Sequence, residues 1–407
     1  MGSPLRLTVV GVAMDRAAAG WAGVSGTIEE IEQALSRFRP TSDLVRLNDL
    51  AGDPAGMSVH PRLVAALAAA ERARRMTEGA FDPRILRDLE RLGYVGVPST
   101  SGPATASSAA DQRGAGGVAG LVDSGRTRPT FSDGRWLHCD PRRSMAAVAA
   151  PVDLGGIGKG LAIRWAGKVL ATILPELNDP GAGALLEAGG DLIARGSAPE
   201  GGPWMVAIED PSGAEMPAVV ALQDGAICTS SIAVHRWRTD DGRDVHHLLD
   251  PRTGEPGGAD LASVTVSGPD PAWAEVWSKT LFLEGAARIG PRARAMGLAA
   301  WWVRDDGSLE MTPAARQGSA WVRGEGCPRP GRGRAASGGR LSPCERGSGG
   351  TLGAIPDPEE HASLHRQRHS FDQGPCEPVE ASVPGSTTAS HEEARCTFPV
   401  RLQDEHP

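Results

Sequence analysis

The sequence has no surplus of positive charge, no long apolar run and no cysteine framework. Its 42 Lys and Arg stand against 50 Asp and Glu, a formal net charge of −8 with histidine neutral. This argues against a polycation that binds nucleic acid by bulk charge. Nowhere do about 18 apolar residues run consecutively, the length that a membrane-spanning helix requires. The opening Met1-Gly2-Ser3-Pro4-Leu5-Arg6 also lacks the charged and apolar regions of a secretion signal. As written, the chain reads as soluble and cytoplasmic; a start site further upstream would allow export. The six cysteines, at 139, 228, 327, 344, 376 and 396, make no CxxC pair and no zinc-type spacing, and four lie in the last fifth of the chain. Disulfides therefore do not organise a chain of this length.

Glycine and proline are what the sequence has in excess. It holds 53 Gly and 32 Pro in 407 residues, about a fifth of the chain where about 12 % is usual. The length allows two or three domains, or one large mixed domain with a tail, and a hydrophobic fraction of 40 % supports a sizeable core.

Residues 1–98 read as ordered. Alternating Leu5, Leu7 and Val9 suit a half-buried strand. Thr27 and Glu30 form a capping-box pattern ahead of a helix carrying Ile28, Ile31, Leu35 and Phe38. A second helix is predicted from Pro61, at a first-turn position, to Met76. Residues 99–134, rich in Ser, Gly and Ala, read as a surface insertion. Order returns at Arg135. A helix bearing Leu161, Trp165, Val169 and Ile173 follows a glycine cluster. Strand-like runs come at 184–186, 204–208, 219–222 and 263–267, and another helix over 272–283. Short strands mixed with a few long helices indicate an α+β fold. Residues 324–407, polar, Pro-rich and without an apolar period, read as a disordered tail, because such a segment buries too little apolar area to offset its chain entropy.

The most informative stretch is Asp153-Leu154-Gly155-Gly156-Ile157-Gly158-Lys159-Gly160. Glycines let backbone N–H groups approach an anion, the helix that follows adds positive potential at its start, and Lys159 adds a point charge. A phosphate or pyrophosphate site and a tight strand-to-helix turn are both open readings. The run is neither a Walker A loop nor the GxGxxG fingerprint. Gly189-Gly190-Asp191 reads as a simple turn or a second such approach. His246 and His247 point to opposite sides of a strand, so they do not share one metal; one of them could serve as a base near neutral pH, against the alternative of a surface or hydrogen-bonded histidine. Gly79-Ala80-Phe81-Asp82-Pro83 either seats a ring system or closes a capped turn. Glu275 and Lys279 are i,i+4 neighbours, which suits an intrahelical ion pair, or Glu275 acts as a hard oxygen ligand for Mg²⁺.

In this order and spacing the motifs resemble the ApbE family, the FAD:protein FMN transferases. The resemblance runs over residues 1–323 and rests on MGS, SRFRPTSDLVRLN, GAFDP, VDLGGIGKG, EAGGD, PWMVAIEDP, AICTSS, HHLLDPRTGEP and SVTVSGPDPAWAEVWSKTLFLEG. It implies one ApbE-like, T-fold-like α+β domain with a flexible insertion at 99–134. It also implies FAD as the donor substrate, Mg²⁺, and transfer of FMN to a Thr or Ser hydroxyl of an acceptor protein, an FMN-binding redox subunit, with release of AMP. By resemblance, Met1, Phe38, Ala80, Phe81, Asp82, Asp153, Lys159 and Leu249 contact FAD, and His247 is the catalytic histidine. The metal site falls on the Gly156 carbonyl, Glu275, and Lys279 or its neighbour Ser278.

Departures from the family pattern are specific. The family usually has Asp at 275 and Thr at 279. A charged lysine cannot coordinate Mg²⁺, though its charge could replace part of the cation's beside the pyrophosphate. Ser231 and Arg84 stand where relatives often have Gly and Thr. Two further readings use the same residues: an FAD pyrophosphatase yielding FMN and AMP, and a noncatalytic FAD-binding protein.

Overall fold

The computed structural model describes residues 4–94, 127–213, 216–233, 235–324 and 396–400. Among them, eight strands form one antiparallel sheet. In chain order they are β1 (Leu5–Val10), β2 (Gly183–Ala188), β3 (Asp191–Gly196), β4 (Gly225–Ser231), β5 (Leu261–Gly268), β6 (Ala299–Arg304), β7 (Leu309–Met311) and β8 (Cys396–Val400). Across the sheet the order is β7-β6-β5-β4-β3-β2-β1-β8. Four longer helices matter for the site: α1 (Met14–Leu35), α2 (Pro61–Met76), α3 (Gly158–Ile173) and α4 (Pro271–Glu284). The α+β expectation holds.

Period-two alternation separates the two faces of the sheet. Leu5, Leu7 and Val9 of β1 point into the core formed with α1, α2 and α3, where Ile31, Leu67, Leu161 and Ile163 are buried. Val10, Leu192, Ala194 and Trp301 face the other way, onto a three-stranded sheet of Trp204–Ile208, Ala218–Leu222 and Ser319–Val322. Trp301 and Trp302 show the alternation in one step, since Trp302 packs with Trp277, Leu281 and Phe282 of α4 on the helical side. The sheet is thus a partition with helices on one side and a small sheet on the other, and α3 and α4 lie together on the helical side.

Local rules account for most element ends. Pro61 opens α2 and Met76 ends it, as expected. Asp270 caps α4 through the Ala272 and Trp273 amides at 3.0 and 3.1 Å. The Thr27 expectation fails: α1 already starts at Met14, and Thr27 Oγ1 donates to the Gly23 carbonyl at 2.8 Å inside the helix. The turn before Thr27, Gly23-Val24-Ser25-Gly26, is already helical, so the hydroxyl bonds back along the helix rather than capping it.

The 99–134 insertion lies outside the described residues up to 126. On its return, Arg128 donates to the Pro251 carbonyl at 2.7 Å and pairs with Asp88 at 2.9 Å. Of the 324–407 tail, expected to be disordered, Cys396–Val400 instead pairs antiparallel with β1, from Leu5 opposite Val400 to Val9 opposite Cys396; residues 325–395 and 401–407 lie outside the described residues. The exposed backbone groups of an edge strand favour such an addition over chain freedom. Among the described residues no helix is long and apolar enough to cross a membrane.

Candidate active site

The glycine-rich turn leads from Asp153 into the start of α3, where α4 crosses it. Gly160 makes that crossing possible: a Cβ there would lie 2.5 Å from the Pro271 carbonyl oxygen. The closeness lets Glu275, on α4, reach the first turn of α3, and its Oε2 accepts from the Gly160 amide at 2.8 Å. A carboxylate at a helix N-terminus is favoured by the unsatisfied N–H groups and the helix dipole. Glu275 Oε1 is buried and has no hydrogen-bond partner among the described residues. Burial, opposed by the Lys159 charge, raises the Glu275 carboxyl to about 7.

Lys159 points from α3 to the sheet, where its Nζ lies 2.5 Å from Asp191 Oδ2. Asp191 is 1 % exposed, and its other oxygen accepts from the Thr229 amide at 3.0 Å. Burial alone would lower the Lys159 ammonium, but Asp191 and Glu275 outweigh it and hold the pKa above its ordinary value. The sequence offered Asp191 as part of a simple turn or of a second phosphate approach, and not as the partner of Lys159; its place in EAGGD was the available signal.

Lys279 comes from the next turn of α4. The expected ion pair with Glu275 does not form, and the Lys279 ammonium makes no ion pair or hydrogen bond among the described residues. Its stem lies along the glycine turn: a Cβ on Gly156 would be 3.3 Å from Lys279 Cδ and Cε and 2.7 Å from the Phe81 ring. Burial lowers its pKa, while the Glu275 charge works against that. Ser278 points elsewhere, fully buried, with its hydroxyl shared between Ser230 Oγ at 2.9 Å and the Glu275 carbonyl at 3.0 Å.

Asp153 joins three segments. Its amide donates to the Pro83 carbonyl, its Oδ1 accepts from the Gly155 amide, and its Oδ2 pairs with Arg37 Nε, all at 2.7 Å. The Arg37 guanidinium lies 4.4 Å from the Phe38 ring centroid and 4.6 Å from that of Tyr94. Phe38 itself is 47 % exposed. Arg37 was not singled out in the sequence, although it lies inside SRFRP. Asp82 is closed off by Arg84, which clasps it through Nε at 3.0 Å and Nη2 at 2.7 Å. Phe81 is buried and held by its amide on Thr77 Oγ1 at 3.0 Å, and Ala80 is half-buried beside it. Leu249 turns its side chain to Leu89 and Leu92, so only its main chain is left to meet a ligand. Met1 lies outside the described residues.

The two histidines diverge as expected. His246 meets the Phe282 ring edge-on, and burial lowers it to about 4. His247 stands among His235 and Tyr94, with ring centroids at 4.7 and 6.3 Å. Burial first, then the Lys279 charge, holds His247 well below its ordinary pKa. The ring is therefore neutral at pH 7, and its buried Nδ1 has no hydrogen-bond partner among the described residues. A neutral imidazole with an unengaged nitrogen is in the form that accepts a proton.

The residues expected to hold Mg²⁺ do not suit it. Mg²⁺ takes octahedral oxygen ligands, one or two of them carboxylates and the rest waters and phosphate oxygens, and an ammonium supplies none. Here one carboxylate oxygen, Glu275 Oε1, is free, the Ser278 hydroxyl is engaged, Asp191 is taken by Lys159, and Lys279 places an ammonium where an oxygen donor was needed. No group of three or more His, Cys, Asp or Glu among the described residues could hold a metal. A separate cavity of about 930 Å³, lined by Glu71, Arg72, Arg74, Trp136 and His138, contains none of the expected site residues.

The FAD:protein FMN transferase of Klebsiella pneumoniae is 29 % identical over 330 residues, covering 80 % of this chain and 88 % of that protein. The protein of the same name from Salmonella typhimurium is 27 % identical over 318 residues, 75 % of this chain and 83 % of its own. In fold, the crystal structure of the ApbE protein of Thermotoga maritima superposes with a TM-score of 0.62 at 23 % identity, over 78 % of this chain and 96 % of that one. Flavin transferase ApbE from Vibrio cholerae does so with a TM-score of 0.58 at 22 % identity, over the same shares. The model of the ApbE family matches residues 1–302, so the chain belongs to the ApbE family.

Proposed function

We propose that the chain is an FAD:protein FMN transferase that moves FMN from FAD to a Thr or Ser hydroxyl of an acceptor protein and releases AMP. The observation that carries this reading is the neutral His247, with an unengaged Nδ1, within electrostatic reach of two lysines, Lys159 and Lys279, at a glycine-rich turn. The lysines and the turn would draw the diphosphate of FAD into the site, and Phe38, Phe81 and Ala80 would line the flavin end.

In the reaction the acceptor hydroxyl oxygen attacks the phosphorus on the flavin side of the diphosphate. The new O–P bond forms as the bridging P–O bond breaks, the electron pair leaves with AMP, and the hydroxyl proton passes to the His247 imidazole. Positive groups fixed beside the diphosphate stabilise the charge that develops, and they need no reorganisation to do so. The Mg²⁺ that the resemblance implies is not part of this reading, because the donor set described above does not suit it. The partner is a redox protein with an FMN-acceptor motif containing Asp and Thr.

The test is incubation of the chain with FAD and such an acceptor, followed by intact-mass spectrometry. The acceptor is expected to gain one FMN less one water, with AMP released in equal amount. Free FMN and AMP without an adduct would establish a pyrophosphatase, and bound but uncleaved FAD a binding protein.

A further inference from the structure

The disagreement between the expected metal site and the residues present has a chemical consequence. We propose that the Lys279 ammonium is the built-in cation of the diphosphate site, taking the place of a divalent metal, so that this chain binds and cleaves FAD without one. The proposal rests on the FAD-using function above.

Three independent features support it. The first is position: the Lys279 stem, reaching from α4, runs along Gly156, close enough that a Cβ there would lie 3.3 Å from Cδ and Cε, so the end of the side chain stands beside the turn that would cradle the diphosphate. The second is availability. Lys159, the other lysine, is committed to Asp191 at 2.5 Å, whereas Lys279 has no anionic partner among the described residues. A half-buried ammonium that no side chain neutralises is suited to an anionic ligand. The third is the donor count. Glu275 Oε2 is bonded to the Gly160 amide and the Ser278 hydroxyl is spent, so these residues offer a hard ion one unengaged carboxylate oxygen, Glu275 Oε1, beside an ammonium that repels it.

Lysine is a compact point charge with three donors, and it serves widely as a phosphate binder in that role. It differs from a metal in one respect that can be measured: chelators do not remove it.

The experiment has two arms on the full chain, with circular dichroism and thermal unfolding confirming that each variant folds. In the first, FAD and riboflavin binding are titrated by flavin fluorescence in excess EDTA for the native chain and for Lys279→Gln. The native chain is expected to bind FAD in EDTA, and Lys279→Gln to weaken FAD at least tenfold while leaving riboflavin unchanged. Equal FAD binding by the two proteins overturns the proposal. In the second arm, transfer is measured in EDTA and in millimolar Mg²⁺, with Mn²⁺ binding followed by electron paramagnetic resonance. The native rate is expected to be the same in both media, with no Mn²⁺ bound. Loss of transfer in EDTA that Mg²⁺ restores, or tight Mn²⁺ binding by the native chain, also overturns it. Absence of transfer under every condition sinks the transferase reading alone, since the binding arm still decides the role of Lys279.

Discussion

Lys159 and Asp191 meet at 2.5 Å across the gap between the first turn of α3 and the start of β3. The pair joins the glycine-rich turn to the sheet, because Asp191 also takes the Thr229 amide of β4. A buried carboxylate with two such partners sets where the lysine stands, and with it the positive end of the site.

Asp191→Asn should therefore cost about 3–5 kcal/mol, the usual consequence of stranding one member of a buried ion pair. Denaturant unfolding measures it, and the double variant Asp191→Asn with Lys159→Met should recover part of the loss. An unchanged midpoint for the single variant would mean that the pair contributes nothing to the fold.

His247→Ala should reduce the rate of transfer by about 10²–10⁴, the range for a lost general base, while FAD binding stays largely intact. Because burial already keeps this imidazole neutral at pH 7, the native rate should not decline through the ordinary histidine range near 6.5. Protonation, and with it loss of the base, belongs at lower pH. A rate that halves near pH 6.5 would contradict the burial of this ring.

Gly160→Ala should destabilise the chain by about 2–3 kcal/mol, since the new methyl would meet the Pro271 backbone and force α3 from α4. Gly158→Ala is the control two residues earlier: a Cβ there meets nothing closer than Leu154 Cβ at 3.9 Å. Thermal unfolding of the two variants side by side tests the crossing; equal midpoints would refute it.

Glu71 predicts acid sensitivity away from the site. Burial opposes its ionisation, but hydrogen bonds from Arg74, Trp136 and Arg75 prevail and bring its carboxyl down to about 2. Its folded pKa lies below the unfolded one, so its contribution is complete above about 4.5 and is lost as pH falls toward 2. Glu71→Gln should cost about 1–3 kcal/mol at pH 7, and the difference from the native chain should shrink on acidification in that window.

Much of the architecture was legible because short-range rules decided it. Alternation in Leu5, Leu7 and Val9 placed a strand, Pro61 opened a helix, and Leu161, Trp165, Val169 and Ile173 marked α3 as a helix, although of the four only Leu161 is buried, with Ala162, Ile163, Ala166 and Leu170 completing the buried face. Thr27 misled because a capping pattern is a local preference, and α1 had already begun at Met14 with enough buried contacts to carry on through it. The strand of Cys396–Val400 was missed for a similar reason: its partner, β1, lies at the opposite end of the chain.

The sequence by itself determined the chemistry on offer: a glycine run with a lysine, a histidine before Leu-Leu-Asp-Pro, an acidic residue and a lysine one helical turn apart. Tertiary structure alone decided how these groups are used. Glu275 turned to the Gly160 amide rather than to Lys279, Lys159 was taken by Asp191, and Ser278 by Ser230. Partners distant in sequence compete for each buried polar group, and the winner is set by which backbones approach closely enough. Spacing along the chain carries no record of that approach.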